Sequence, residues 1–200
     1  GKSNYLQTAE AIGKFILPLR ANTGLYQGFL GGIQNAETTS ATNRTYASTE
    51  HSIDLYAAFT RLFQITGESS WQDAAEHARQ FVESMWSESK GCFFTGTLGD
   101  PNIRNENTGQ IPLDTHSSTV LSLTNILSIH PHLLTFPEQN HATMSDAFTG
   151  FDFNDDKDGV WFEGTAQMAP AYAFAGELAK AETLRRTLRQ AQAMPAPVGN

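Results

Sequence analysis

Glu50-His51-Ser52-Ile53-Asp54-Leu55-Tyr56-Ala57-Ala58-Phe59-Thr60-Arg61-Leu62-Phe63-Gln64-Ile65-Thr66 decides the fold. Its apolar residues Ile53, Leu55, Tyr56, Phe59, Leu62, Phe63 and Ile65 recur at helical spacing and cover more than one stripe. That pattern predicts a helix buried on most sides. Gly67 ends it. An acid, Glu50, opens it, and before that acid runs a glycine- and aromatic-rich loop with Gly24, Tyr26, Gly28 and Phe29, then a polar stretch from Gln34 to Thr49.

Working outward, the same order returns. Residues 5–20 predict a first helix, with Pro18 near its end. Residues 70–86 predict an amphipathic third helix, with Trp71, Ala74, Ala78, Phe81 and Val82 on one face. Ser70 and Asp73 read as its capping box. After a short strand or turn at 91–96 comes a polar loop through Pro101, Asn105 and Asn107, then Asp114 and an uncharged, buried helix over 115–129. A short outer helix around 138–148 is expected next. The loop 150–163 ends in Glu163, and a helix over 164–176 is apolar nearly all round. The last helix, 177–192, is amphipathic, and Met194-Pro195-Ala196-Pro197 reads as a linker. Three times, therefore, an outer helix is followed by a loop, an acid and an inner helix. The expected architecture is all-α, one domain over 1–200, built as an α/α toroid or part of one.

Composition narrows the partners. Forty per cent hydrophobic residues make a globular chain. A net charge of -8 leaves no basic stripe for nucleic acid or an anionic membrane. No apolar run is long enough to span a bilayer. Cys92 has no internal disulfide partner, so cysteine usage names no compartment. Asn43-Arg44-Thr45 is a glycosylation sequon short enough to arise by chance.

If the inner helices run parallel, Glu50, Asp114 and Glu163 gather at one rim, with His51 and His116 within a turn. Helix N-termini favour anions, which suits a carboxylate base. A general acid needs burial, and Glu163, beside Trp161 and Phe162, is the expected donor. Tyr26, Phe94 and Trp161 could stack on sugar rings, or simply pack the rim. Asp114 has a structural alternative as an N-cap, and Glu50 and Glu163 as answers to the helix dipole. Asn154, Asp156, Asp158 and Gly159 match the first half of a calcium loop. Counted from Asn154, position twelve is Thr165, and Glu163 falls at ten. A solvated acidic turn and no metal cofactor are expected.

The stretches Thr49–Phe59, Thr66-Gly67, Trp71, Met85-Trp86, Phe94–Thr97, Pro112-Leu113-Asp114 and Gly159–Met168 together resemble bacterial proteins of the six-hairpin glycosidase-like group. That resemblance implies an (α/α)6 toroid with a cleft at the N-terminal ends of the inner helices. It implies a carbohydrate-active enzyme, with glycoside hydrolysis as the expected reaction and an oligosaccharide or polysaccharide as substrate. A full toroid needs twelve helices and this chain offers six or seven. A half-toroid, a piece of a longer protein and a homodimer that completes the ring all fit that count. The rival readings are a non-catalytic glycan-binding or scaffold domain, and a cyclase or prenyltransferase. The last needs aspartate clusters on helices, and Asp155, Asp156 and Asp158 lie in a loop.

Overall fold

The computed structural model describes residues 2–35, 37, 39–105 and 110–194. Asn107 and Pro195–Pro197, assigned above to loop and linker, lie outside the described residues, as does Gly1. The chain forms two compact units, Gly1–Gly109 and Gln110–Asn200.

The first unit opens with α1 (Lys2–Ile16), which tightens into a 3-10 turn at Leu17–Leu19, where Pro18 enters. The antiparallel pair β1 (Ile33–Gln34) and β2 (Thr42–Asn43) follows. α2 (Thr49–Thr66) and α3 (Ser69–Ser84) form a helical hairpin. Ser48 caps α2 by accepting the His51 N–H, and Gly67 ends it in the left-handed region at φ 71°. Glu68, not Ser70, is the N-cap of α3, and it makes no side-chain cap bond, so the expected capping box does not form. The paired strands β3 (Trp86–Ser87) and β4 (Cys92–Phe93) close the unit. Phe59 stacks on Trp71 at 5.7 Å, within a core that includes Phe29, Leu62 and Ala78. Each such fully buried ring contributes about 1.5–3 kcal/mol.

α2 departs from expectation on one side. Ile53, Phe59 and Leu62 are buried, but Ile65 and Ala58 are exposed. Its second apolar stripe has no cover among the described residues.

The second unit begins with α4 (Asp114–Ser122), which breaks at Leu123. Asn125 takes a left-handed φ of 63°, and a single turn, α5 (Ile126–Ile129), resumes. The expected helix over 115–129 is thus two pieces. The expected helix around 138–148 is instead α6 (Thr135–Asn140) followed by a hairpin of β5 (Ala142–Ser145) and β6 (Phe148–Phe151). α7 (Phe162–Phe174) and α8 (Leu178–Ala193) complete the unit.

α4 and α7 lie side by side. A Cβ at Gly164 would sit 2.7 Å from the Leu113 side chain and would also strike the Trp161 ring. One turn further along, the Ser117 hydroxyl donates to Gln167 Oε1 at 2.9 Å. Both contacts advance in the same sense, so the two helices run parallel with their N-termini together.

Gly164→Ala is therefore expected to destabilise the protein by about 1–3 kcal/mol, the usual range for overpacking. The midpoint of denaturant unfolding checks it. An unchanged midpoint would mean that the close approach is not fixed.

Candidate functional site

Paired N-termini bring Asp114 and Glu163 to neighbouring first turns. Asp114 opens α4 and is 8% exposed. The residue before it, Leu113, holds the N-cap position in helical conformation, so Asp114 is not the cap. Glu163 is the second residue of α7 and is exposed. The burial among aromatics expected for Glu163 is absent, and with it the reason for making it the proton donor.

The aromatic setting is real but differently built. Trp161 meets Phe153 edge-on at 5.2 Å, and both are partly exposed. The Trp161 N–H donates to the Phe151 carbonyl at 2.8 Å, and the Leu113 N–H to the Phe153 carbonyl at 2.8 Å. Two backbone bonds thus tie this pair to the first turns that carry the acids. Phe153 escaped the sequence reading; its signal was position, two residues before an acidic turn and eight before a tryptophan.

His116 does not reach a surface. It is fully buried, stacked on Phe136 at 5.1 Å with 8° between planes. His141, also fully buried, meets Phe136 edge-on at 5.7 Å and His116 at 6.4 Å. Neither ring nitrogen of His141 has a hydrogen-bond partner among the described residues. Burial pushes the His116 imidazole down to about 3, assisted by His141. Burial pushes His141 down to about 4 against the opposing pull of Asp155 and Asp152, with Lys157 adding a little in the same direction as burial. Both rings are neutral parts of the core.

In the first unit, Glu50 and His51 are exposed on the first turn of α2. Phe94 is a core residue at 2% exposure, with the Arg104 guanidinium 5.0 Å and the Lys90 ammonium 5.1 Å from its ring centre. Arg104 also lies 5.5 Å from the half-buried Tyr26 ring. Both rings thus take part in cation–π contacts. Cys92 is a buried thiol raised to about 11 by desolvation, a packing residue.

The loop before α7 gathers carboxylates. Oxygens of Asp152, Asp156 and Asp158 lie within 4.8 Å of one another. Asn154 spends its Oδ1 on the Asp156 N–H at 2.9 Å, and Asp152 accepts from Asp158 N–H at 2.8 Å. Asp152 joins this cluster, and the sequence reading did not include it. In a calcium-loop frame counted from Asp152, the residues Asp152, Asn154, Asp156 and Asp158 take positions one, three, five and seven. Lys157, at position six, has the positive φ of 56° where such loops place glycine. Glu163 falls at position twelve but is not among the gathered carboxylates.

No family model matches the chain, and no curated protein matches it by sequence. Solved structures do. A D-mannose isomerase superposes with a TM-score of 0.65 at 14% identity, over 95% of this chain and 53% of the other. The cellobiose 2-epimerase from Spirochaeta thermophila DSM 6192 gives 0.62 at 13%, over 94% and 52%. That from Bacillus thermoamylovorans B4167 gives 0.66 at 12%, over 94% and 55%. The chain thus shares the α/α toroid-like helical fold of these structures. It spans about half the length of the solved structures it matches.

The buried imidazoles give a pH dependence. Unfolded histidine titrates near 6.5, above both folded values, so the unfolded chain binds more protons below that pH. Their contribution is intact above pH 6.5 and is lost as pH falls towards 4. His141→Leu should reduce the drop in denaturant midpoint between pH 7.5 and pH 5, relative to wild type. An equal drop would remove His141 from the account.

Proposed function

We propose that this chain carries the acid–base pair of a carbohydrate-active enzyme, with Asp114 and Glu163 as that pair. The observation behind the proposal is the parallel docking of α4 and α7, which sets two acids on adjacent first turns near the partly exposed pair Phe153 and Trp161. Sugars are bound by such combinations, since a ring face packs on an aromatic while hydroxyls meet carboxylates. Helical toroids acting on mannose or cellobiose, as the similar structures are named, support the same substrate class by fold analogy alone.

Glycoside hydrolysis is the reaction we favour. It needs one carboxyl to protonate the leaving oxygen and one carboxylate to activate water or attack. Both acids sit on first turns, so the helix-end field acts on both; what differs is burial. The enclosed Asp114 suits the donor and the exposed Glu163 the base, the reverse of the order expected from sequence. Glu50 holds the corresponding place on α2, in the first unit. Sugar isomerisation or epimerisation is the second reading, favoured by the names of the similar structures.

Incubation with a panel of β- and α-linked oligosaccharides, mannose and cellobiose separates these. Hydrolysis releases shorter sugars; the second reading yields an isomer or epimer of unchanged length. Asp114→Asn and Glu163→Gln should each lower turnover by about 100- to 10,000-fold, the usual contribution of a general acid or base. Turnover indifferent to both changes would remove the assignment, and binding without turnover would leave a glycan-binding domain.

A further inference from the structure

Gln167 of α7 meets α4 one turn inside the acid pair. It follows Glu163 by four residues, so the two share a face of α7 with Cβ atoms about 5–6 Å apart. Ser117 follows Asp114 by three residues and shares a face of α4 with it. The bond from the Ser117 hydroxyl to Gln167 Oε1 joins these two faces. Helical side chains also lean towards the N-terminal end of their helix, so Gln167 leans back over the turn that carries Glu163.

The two ends of the bond differ. Ser117 is fully buried, and its hydroxyl has one proton to give. Gln167 Oε1 takes it at 2.9 Å, and the Leu113 carbonyl, at 3.5 Å, is the more distant acceptor. Gln167 is only partly buried. A carboxamide is planar, so fixing Oε1 limits where its two N–H donors can stand. No acceptor among the described residues takes either donor.

Taking Asp114 and Glu163 as a carbohydrate site, we propose that Gln167 binds the substrate there, donating its amide N–H to a sugar oxygen while Ser117 sets the orientation of the amide. The chemistry of the acids calls for such a group. An ionised carboxylate only accepts hydrogen bonds, whereas a sugar hydroxyl both donates and accepts. A site of carboxylates alone leaves the sugar's lone pairs without donors. Gln167 supplies two, on the face that carries Glu163. Joining α4 to α7 occupies only its carbonyl. The donors are left for a ligand, and partial exposure lets one reach them.

Calorimetric titration of the 200-residue chain with mannose, cellobiose and cellotetraose tests this, alongside denaturant unfolding. Gln167→Glu keeps an oxygen for Ser117 and removes both donors. Gln167→Met removes the donors and the Ser117 bond together, without adding charge. Both variants should weaken binding of the sugar that the wild type takes up by about 2- to 10-fold, the net worth of one hydrogen bond. Only Gln167→Met should lower the unfolding midpoint. Affinity lost in one variant alone overturns the donor role: Gln167→Met alone marks the interhelical bond, and Gln167→Glu alone marks the added charge. Affinity kept in both overturns it too, and the acid pair then still stands if Asp114→Asn and Glu163→Gln lower turnover. A wild type that binds none of these sugars, nor any oligosaccharide of the panel above, overturns the carbohydrate reading of the site and this role with it.

Discussion

The second unit depends on the missing side chain at Gly164. Because no Cβ stands there, the first turn of α7 reaches Leu113 and lies under the Trp161 ring. That approach fixes the parallel sense of α4 and α7. Parallel neighbours are electrostatically awkward, since two positive helix ends are brought together. Asp114 and Glu163 answer that field. The offset is worth about 0.3–1 kcal/mol per acid, so field compensation alone explains why some acid is present at each end. It does not explain why one acid is enclosed and the other open, or why backbone bonds hold Trp161 to Phe151 and Leu113 to Phe153.

The histidines show the limit of spacing arguments. His116 follows Asp114 by two residues, and spacing alone placed it within a turn of the rim. The structure turns it inward, where Phe136 and His141 enclose it. Neither partner belongs to α4. Phe136 comes from α6 and His141 follows it, and α6 starts three residues before the helix expected around 138–148 and ends long before that helix would. A residue's role there was set by neighbours whose placement could not be read.

Helices with strong periodicity and a clear stop were legible. α2, α3, α7 and α8 lie within two residues of their expected bounds, because apolar period and Gly67 or Gly176 fix them. What failed lacked such punctuation. The break in α4 falls at Leu123–Asn125, where no glycine or proline signals it and Asn125 supplies the left-handed turn. The β5–β6 hairpin turns at Asp146, also left-handed without glycine. In the acidic loop too, Lys157 and not glycine takes the left-handed turn, so a frame counted from Gly159 begins two residues later than one counted from Asp152. Asparagine, aspartate and lysine in left-handed conformations are the common thread of these misses.

The uncovered stripes on α2 and α7 take their meaning from what an apolar helix is. A helix that is apolar on all sides is a core helix. α7 is nearly such a helix by composition and α2 carries more than one apolar stripe, yet each keeps one uncovered stripe among the described residues. Both also carry an acid in the first turn. An uncovered stripe is what a core helix shows where the neighbour that would cover it is not among the described residues.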